Sequence, residues 1–368
     1  MIDPIGFDAR GFYDAMRESK SLLVRREDLR WTETFAEPDR PVEALLAFGC
    51  AVQHTPHLML EATAVFEILG IDYVAVTGRQ FCCGRPFQRL GGSDEAAARI
   101  SAKSYERIVR YEPQTTVQWC GACMIQYQDV ISKQTDAPFD VVHVTRYVAE
   151  RLRELGDAVP FKYEVPARFA IHAHDDHPQQ RTDLSYILAI LDMIPGVEYA
   201  GAIQPPSAGS PCDLTGPTAV SVLNALDSTQ YRLCVAELEG QGRALGVDTV
   251  VTAYHRCQME WSKLSSRRLA VREWMSVLAE ALGVGYADRF TTYWHLGDPA
   301  EVVEQARPEW QSWGLTEQEA LEAATRHFVP RYAADLHHCD CGGAGCGSGS
   351  GQQLRLTAPV AGSSGQGV

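Results

Sequence analysis

The chain has 368 residues, enough for two globular units, and its 45% hydrophobic and 22% charged residues are typical of a globular protein with its own core. Its formal net charge of −14 argues against nucleic acid as the main partner. The sequence has neither a signal-peptide pattern nor an apolar run of about 18 residues, which predicts a cytoplasmic protein without a transmembrane segment.

The first third of the chain changes character at residue 42. Residues 1–41 are charged and carry little strand pattern, and we interpret them as an N-terminal arm whose apolar residues Phe12, Met16 and Leu22 predict a short docking helix. Short apolar runs then alternate with helical patterns, with strands expected at 42–50, 71–76 and 115–119 and helices at 56–69 and 95–111. This alternation predicts parallel βαβ units, whose ligands bind beyond the carboxyl ends of the strands.

The second half repeats this order. A strand is expected at 167–173, a helix at 185–194, and the segment 248–257 resembles the one that contains the third strand of the first half. We therefore predict an α/β fold with two pseudo-repeated βαβ lobes and parallel sheets, namely lobe one (residues 42–160) and lobe two (residues 161–300). A helical segment with a Cys-rich loop (301–346) and a disordered tail (347–368) complete the expected organisation.

Eleven cysteines in a chain of this kind favour metal or redox chemistry over structural disulfides. Five of them fall in lobe one, where 31 residues separate Cys50 from Cys82 and 36 separate Cys83 from Cys120. Cys120 and Cys123 form a C-x-x-C pair. Iron–sulfur clusters are held by thiolates, because soft sulfur ligands match iron. A vicinal Cys-Cys-Gly with a C-x-x-C and a distal cysteine at a strand end indicates such a cluster.

This pattern resembles the cysteine-rich CCG domain found in the disulfide-reducing subunit of heterodisulfide reductase, which also occurs in iron–sulfur subunits of glycolate oxidase, lactate-utilisation and anaerobic glycerol-3-phosphate dehydrogenase systems. The resemblance covers roughly residues 42–295. It implies one noncubane [4Fe-4S] cluster per chain, at which a disulfide, thiol or persulfide reacts, and it implies these ligands: Cys50, Cys82, Cys83, Cys120 and Cys123. It further implies a ferredoxin-like iron–sulfur subunit or a flavoprotein subunit as partner, and the bacterial sulfur-oxidising variant of the complex is one such setting.

The second repeat departs from the family pattern. It has His174-Asp175-Asp176-His177 in place of His-Asp-Pro-Cys, Pro211-Cys212-Asp213 in place of Cys-Cys-Gly, and Tyr254-His255-Arg256-Cys257 in place of C-x-x-C. We therefore expect no second noncubane cluster. A second metal, zinc or iron, remains open at His174, His177, Cys212, His255 and Cys257, and the alternative is a repeat kept for packing and subunit contact.

Other cysteines and histidines have less specific patterns. Cys339, Cys341 and Cys346 lie in a Gly-rich loop that either binds a metal or is an inert tail. Cys234 lies in a helical pattern and is interpreted as a buried apolar residue. His143 and His172 lie in apolar strands and are interpreted as core residues.

Three other functional interpretations stay open at this point. The segment 119–123 is similar to the thioredoxin-type Trp-Cys-Gly-x-Cys turn, but that interpretation leaves Cys50, Cys82 and Cys83 without a role. The chain is alternatively an electron-relay subunit of a flavin dehydrogenase, without disulfide chemistry. It is alternatively a non-catalytic scaffold subunit whose second lobe binds a partner.

Overall fold

The computed structural model describes residues 7–35, 40–131, 138–212 and 221–329. Eight strands occur there: β1 (Ala44–Ala47), β2 (Tyr73–Val76), β3 (Thr115–Gln118), β4 (Asp140–His143), β5 (Ala167–His172), β6 (Val197–Ala202), β7 (Thr249–Thr252) and β8 (Ala270–Glu273). The helices of the lobes are α2 (Pro56–Ile68), α3 (Arg85–Arg89), α4 (Asp94–Val109), α5 (Gly121–Gln126), α6 (Val144–Leu155), α7 (Pro178–Asp192), α8 (Ser228–Leu245), α9 (His255–Trp261) and α10 (Trp274–Leu282). Before and after them lie α1 (Ala9–Leu23), α11 (Arg289–Leu296), α12 (Pro299–Gln305), α13 (Arg307–Ser312) and α14 (Glu317–Phe328).

The strands form two four-stranded parallel sheets with the same order. Lobe one has the order β2-β1-β3-β4, and lobe two has the order β6-β5-β7-β8. The central pairs also correspond, since Ala47 at the end of β1 faces Gln118, and His172 at the end of β5 faces Thr252. The predicted α/β fold with two lobes and parallel sheets is therefore confirmed.

Local sequence explains where these elements begin and end. The inner strand β1 is buried at every position, as expected for a parallel strand covered by helices on both faces. Ser93 accepts a hydrogen bond from the backbone N–H of Ala96 and starts α4. Thr316 and Glu319 form the capping box of α14.

The N-terminal helix α1 packs against the body of the chain. Its carboxyl end, at Leu22 and Leu23, shares a hydrophobic cluster with Val302 of α12 and Phe328 of α14. On another side, Met16 packs against two lobe-one cysteines. The described part of the arm thus closes over the edge of lobe one where those cysteines lie.

None of the helices within the described ranges is long and apolar enough to cross a membrane. The expected Cys-rich loop with Cys339, Cys341 and Cys346, and the expected disordered tail at 347–368, lie outside the described residues.

Candidate functional site

The five lobe-one cysteines gather at the carboxyl edge of the first sheet. Cys50 follows β1 through Gly49, and Cys120 lies between β3 and α5. Cys123 belongs to the first turn of α5, and the vicinal pair Cys82–Cys83 follows a short 3-10 turn (Arg79–Phe81). Four of the thiols are buried, and Cys120 is half-buried. Because parallel strands end together, residues up to 73 positions apart in sequence come to one place.

The thiols make a continuous series of side-chain contacts. The Cys50 thiol neighbours the Cys82 thiol, and Cys82 also neighbours Cys83. Cys83 neighbours Cys123, which in turn neighbours Cys120. Each thiol therefore has at least one other thiol as a neighbour, and the five form a continuous series along the edge of the sheet.

The contacts divide the thiols into two kinds. Hydrogen bonds from Cys50 and Cys83 hold the pKa of the Cys82 thiol well below its usual value, despite burial. The hydrogen bond with Cys123 lowers the pKa of Cys120 to about 7. The hydrogen bond with Cys82, and then burial, raise the pKa of the Cys50 thiol well above its usual value. Several neighbouring thiolates repel one another in a buried site, so a cation between them would favour the charged form of all five.

Two glycines make room for this cluster. A Cβ atom on Gly49, whose φ is +74°, would lie 3.1 Å from Cys123 Sγ. Gly84 completes the Cys-Cys-Gly motif, with a φ of +83° and a hypothetical Cβ 2.5 Å from the Ala97 carbonyl oxygen. Its backbone N–H donates to Cys82 Sγ at 3.4 Å. A side chain is therefore excluded at both positions, by strain and by close neighbours.

A tyrosine from the N-terminal helix points into the cluster. The buried Tyr13 hydroxyl lies against the Cys82 thiol, and it finds no well-aligned hydrogen-bond partner in the described part of the chain. Burial, followed by the charges of Cys82 and Cys50, raises the pKa of Tyr13, which keeps the hydroxyl protonated. Tyr13 thus places a protonated hydroxyl beside the Cys82 sulfur, and no sequence motif indicated this contact.

A second group of ligand atoms lies at the carboxyl edge of the second sheet, where His172, His174, Cys212 and Cys257 place one ligand atom each within 4.8 Å of one another. His172 Nε2 is 3.1 Å from Cys212 Sγ, and His174 Nε2 is 3.3 Å from both Cys212 Sγ and Cys257 Sγ. His172, which we expected to be a core residue, is buried but belongs to this group. The sequence signal was weak, because His172 is the last residue of β5 and His174 lies two residues beyond its end.

Two other histidines expected as candidates lie outside that group. The His177 side chain caps α7 by accepting a hydrogen bond from the Gln179 backbone N–H. His255 is buried at the start of α9, and burial, followed by the charge of Arg256, lowers its pKa to about 3. His143, the other expected core histidine, is buried at the end of β4. Its Nε2 donates to the Trp119 carbonyl at 3.2 Å.

Tyr254 connects the two groups of ligands. Its ring stacks on His174 with a centroid distance of 6.3 Å. The same ring lies beside Gly121, between the two cysteines of the C-x-x-C pair. Its hydroxyl donates to buried Asp183 at 2.8 Å, and the other oxygen of that carboxylate is 3.1 Å from His143 Nδ1. Aromatic and polar contacts thus join the carboxyl edges of both sheets.

The comparisons with known proteins bear on lobe one. Residues 46–128 match the family model described as CCG, cysteine-rich domain. No curated protein matches the chain. One similar solved structure is an aspartate racemase homologue from Pyrococcus horikoshii OT3, 11% identical, with a TM-score of 0.30 and coverage of 65% of this chain and 96% of that chain. The matched segment contains all five of these cysteines, so this part of lobe one is similar to the cysteine-rich CCG domain.

Proposed function

We propose that this chain is an iron–sulfur redox protein similar to the disulfide-reducing subunit of heterodisulfide reductase. It would bind one noncubane [4Fe-4S] cluster and carry out disulfide, thiol or persulfide chemistry there, with these ligands: Cys50, Cys82, Cys83, Cys120 and Cys123. The observation that carries the proposal is the continuous series of five thiols from three separate segments, inside a segment that matches the CCG model. A thioredoxin-type pair would leave three of these thiols without a role.

The surroundings of the thiols fit such a cofactor. All five donors are soft sulfur atoms, which suits iron and sulfide. The Gly49 backbone keeps the space beside Cys123 clear of any side chain. The Tyr13 hydroxyl, without a well-aligned partner in the described residues, and the Gly84 N–H both aim at Cys82, and hydrogen bonds of this kind tune the potential of a cluster.

The chain would control access and charge, whereas the cluster would supply electrons when a sulfur–sulfur bond is cleaved and accept them when one is formed. Reduction of a disulfide consumes two electrons and two protons and yields two thiols. The electrons would come from a ferredoxin-like or flavoprotein subunit. Cys120 is the half-buried member of the set, so a substrate sulfur would approach from its side. The other four thiols and the α1 helix exclude water from the rest of the site.

The test is anaerobic purification and reconstitution, followed by iron and sulfide counts and EPR. We expect about four irons per chain in the wild type. Cys83→Ser removes a buried thiol with two thiol neighbours, and we expect it to lower the iron count below about one or to convert the EPR signal. Cys234→Ser is the matched control, because it changes a buried thiol on α8, far from the cluster in sequence.

Turnover of a small disulfide with a low-potential reductant then separates the proposal from its alternatives. An electron-relay subunit would hold the cluster, show no disulfide turnover and copurify with a flavoprotein dehydrogenase. A scaffold subunit would copurify with a second, complete CCG protein. Unchanged iron content and an unchanged EPR spectrum in Cys83→Ser would contradict the ligand assignment.

A further inference from the structure

We propose that lobe two binds one zinc ion through His172, His174, Cys212 and Cys257, in a structural site that is separate from the proposed cluster. The four ligand atoms all lie within 4.8 Å of one another, and three of the four side chains are buried. This site is independent of the redox function proposed above, because none of its ligands belongs to lobe one.

The donor set suits a tetrahedral ion. Two thiolates and two imidazole nitrogens form one of the usual closed zinc sites, with bond lengths of about 2.3 Å to sulfur and about 2.0–2.1 Å to nitrogen. Tetrahedral angles then place nitrogen and sulfur about 3.6 Å apart. The three observed N–S distances are 3.1, 3.3 and 3.3 Å, so a small outward movement would admit the ion. Four protein ligands leave no open position for water, which makes the site structural and not hydrolytic.

Neighbouring side chains hold the ligands in place. Trp261 Nε1 donates to Cys212 Sγ at 3.3 Å, and the ring of the same tryptophan stacks on His172 at a centroid distance of 3.9 Å. His174 stacks on Tyr254. Contacts of this kind, from residues that do not themselves bind the metal, orient imidazole ligands and stabilise a bound thiolate. Buried imidazole and thiol groups are costly unless their lone pairs are used, and a metal would use one on each ligand.

The geometry favours a single ion over a second cluster. Lobe two has two thiols at this edge, whereas the iron–sulfur cluster proposed for lobe one would have thiolates as all of its protein ligands. Ligand atoms that lie within 4.8 Å of one another enclose one ion and leave no room for a core of several irons and sulfides. Between imidazole and thiolate, zinc is the borderline-soft ion that accepts both.

The first experiment measures zinc and iron in the full-length chain, purified and then reconstituted with iron and sulfide under anaerobic conditions. We expect about one zinc per chain, alongside the iron of lobe one. Cys212→Ser/Cys257→Ser should lower zinc below about a tenth of an equivalent and leave the iron count unchanged. Cys234→Ser, a buried thiol outside the site, should retain the zinc.

A second variant guards against loss of folding. Cys257→His keeps four donor side chains but replaces one thiolate with an imidazole. Cobalt(II) substituted into the wild type should show the intense absorption of a tetrahedral ion with thiolate-to-cobalt charge transfer, and this charge-transfer band should fall by about half in the variant. A wild-type chain that takes up neither zinc nor cobalt would overturn the proposal, as would zinc retained in the double variant or iron with sulfide bound at these residues. The difference in zinc between the wild type and the double variant is the readout, because empty lobe-one thiols would add the same zinc to both.

Discussion

The two lobes share one backbone plan and differ in what stands at the ends of the same strands. Ala47 faces Gln118 in lobe one, as His172 faces Thr252 in lobe two. Counting from these pairs, Cys257 takes the position of Cys123. The shared order of strands therefore fixes where ligands can stand, and the side chains there decide what is bound.

One pair of equivalent positions shows the difference most directly. Gly49 lies two residues after the end of β1, and His174 lies two residues after the end of β5. Gly49 leaves the space beside Cys123 open. At the equivalent position of lobe two, the imidazole of His174 contacts Cys257 Sγ at 3.3 Å. An open position beside many thiols suits a large cofactor, and a filled position beside few thiols suits a single ion.

The strongest way to break this comparison is to give lobe one the residue of lobe two. Gly49→His places a side chain 3.1 Å from Cys123 Sγ on a backbone with a φ of +74°. We expect the iron count after reconstitution to fall from about four to less than about one per chain. Gly91→His is the control, because its φ is +85° and no atom lies within 4 Å of its Cβ position. Both variants carry a backbone strain of about 1–2 kcal/mol, so equal loss of iron in both would point to strain and not to blocked space.

The comparison is sharpened by weakening the buried polar contact between the lobes, in which Asp183 contacts His143 and Tyr254. Asp183→Asn removes the charge of a buried carboxylate that contacts His143 and Tyr254. Despite the opposing effect of burial, which is the largest, the charge of His143 and three hydrogen bonds hold the pKa of Asp183 below its usual value. We expect the free energy of unfolding near neutral pH to fall by about 2–3 kcal/mol, measured by chemical denaturation.

The pH dependence follows from the direction of that shift. A lowered carboxyl pKa contributes stability that is fully present above the unfolded-state value of about 3.9 and is lost as pH falls through the folded-state value. The difference between wild type and Asp183→Asn should therefore shrink in acid. Asp72→Asn is the control, since Asp72 forms an exposed ion pair with Arg40 and its loss should leave stability unchanged. A difference that persists unchanged well below pH 4 would exclude the charge as its source.

The smallest expected effect concerns the Tyr13 hydroxyl, which belongs to the N-terminal helix α1 and lies beside a lobe-one thiol. Tyr13→Phe removes the hydroxyl that lies against Cys82. A protonated hydroxyl beside a thiolate stabilises the charge by about 1 kcal/mol, so its loss corresponds, for a one-electron couple, to a fall in midpoint potential on the order of 40 mV. Redox titration monitored by EPR measures this shift at unchanged iron content. The control is Tyr73→Phe, which removes a hydroxyl that donates to the Thr63 carbonyl and should leave the midpoint potential unchanged.

Sequence patterns predicted the repeated features of the fold well. Alternating apolar runs and helical patterns indicated the parallel sheets of both lobes, and cysteines at strand ends indicated that distant thiols would meet. The place of His172 beside the other ligand atoms was missed, because a single histidine at the end of an apolar strand resembles a core residue. Tyr13 and Tyr254 act through contacts between distant segments, and no local pattern encodes such contacts.

Because Tyr254 contacts Gly121, the substitutions that one lobe accepts depend on the residue in the other. Gly121 has no unusual backbone angle, yet a Cβ atom there would lie 2.8 Å from Tyr254 Cε1. Alanine at 121 would therefore be harmful beside tyrosine and acceptable beside a smaller residue at 254. The order in which two such substitutions arose would matter. Alanine at 121 first produces a clash, whereas a smaller residue at 254 first leaves a gap and removes the hydrogen bond to Asp183. Each lobe therefore restricts the sequences that are open to the other.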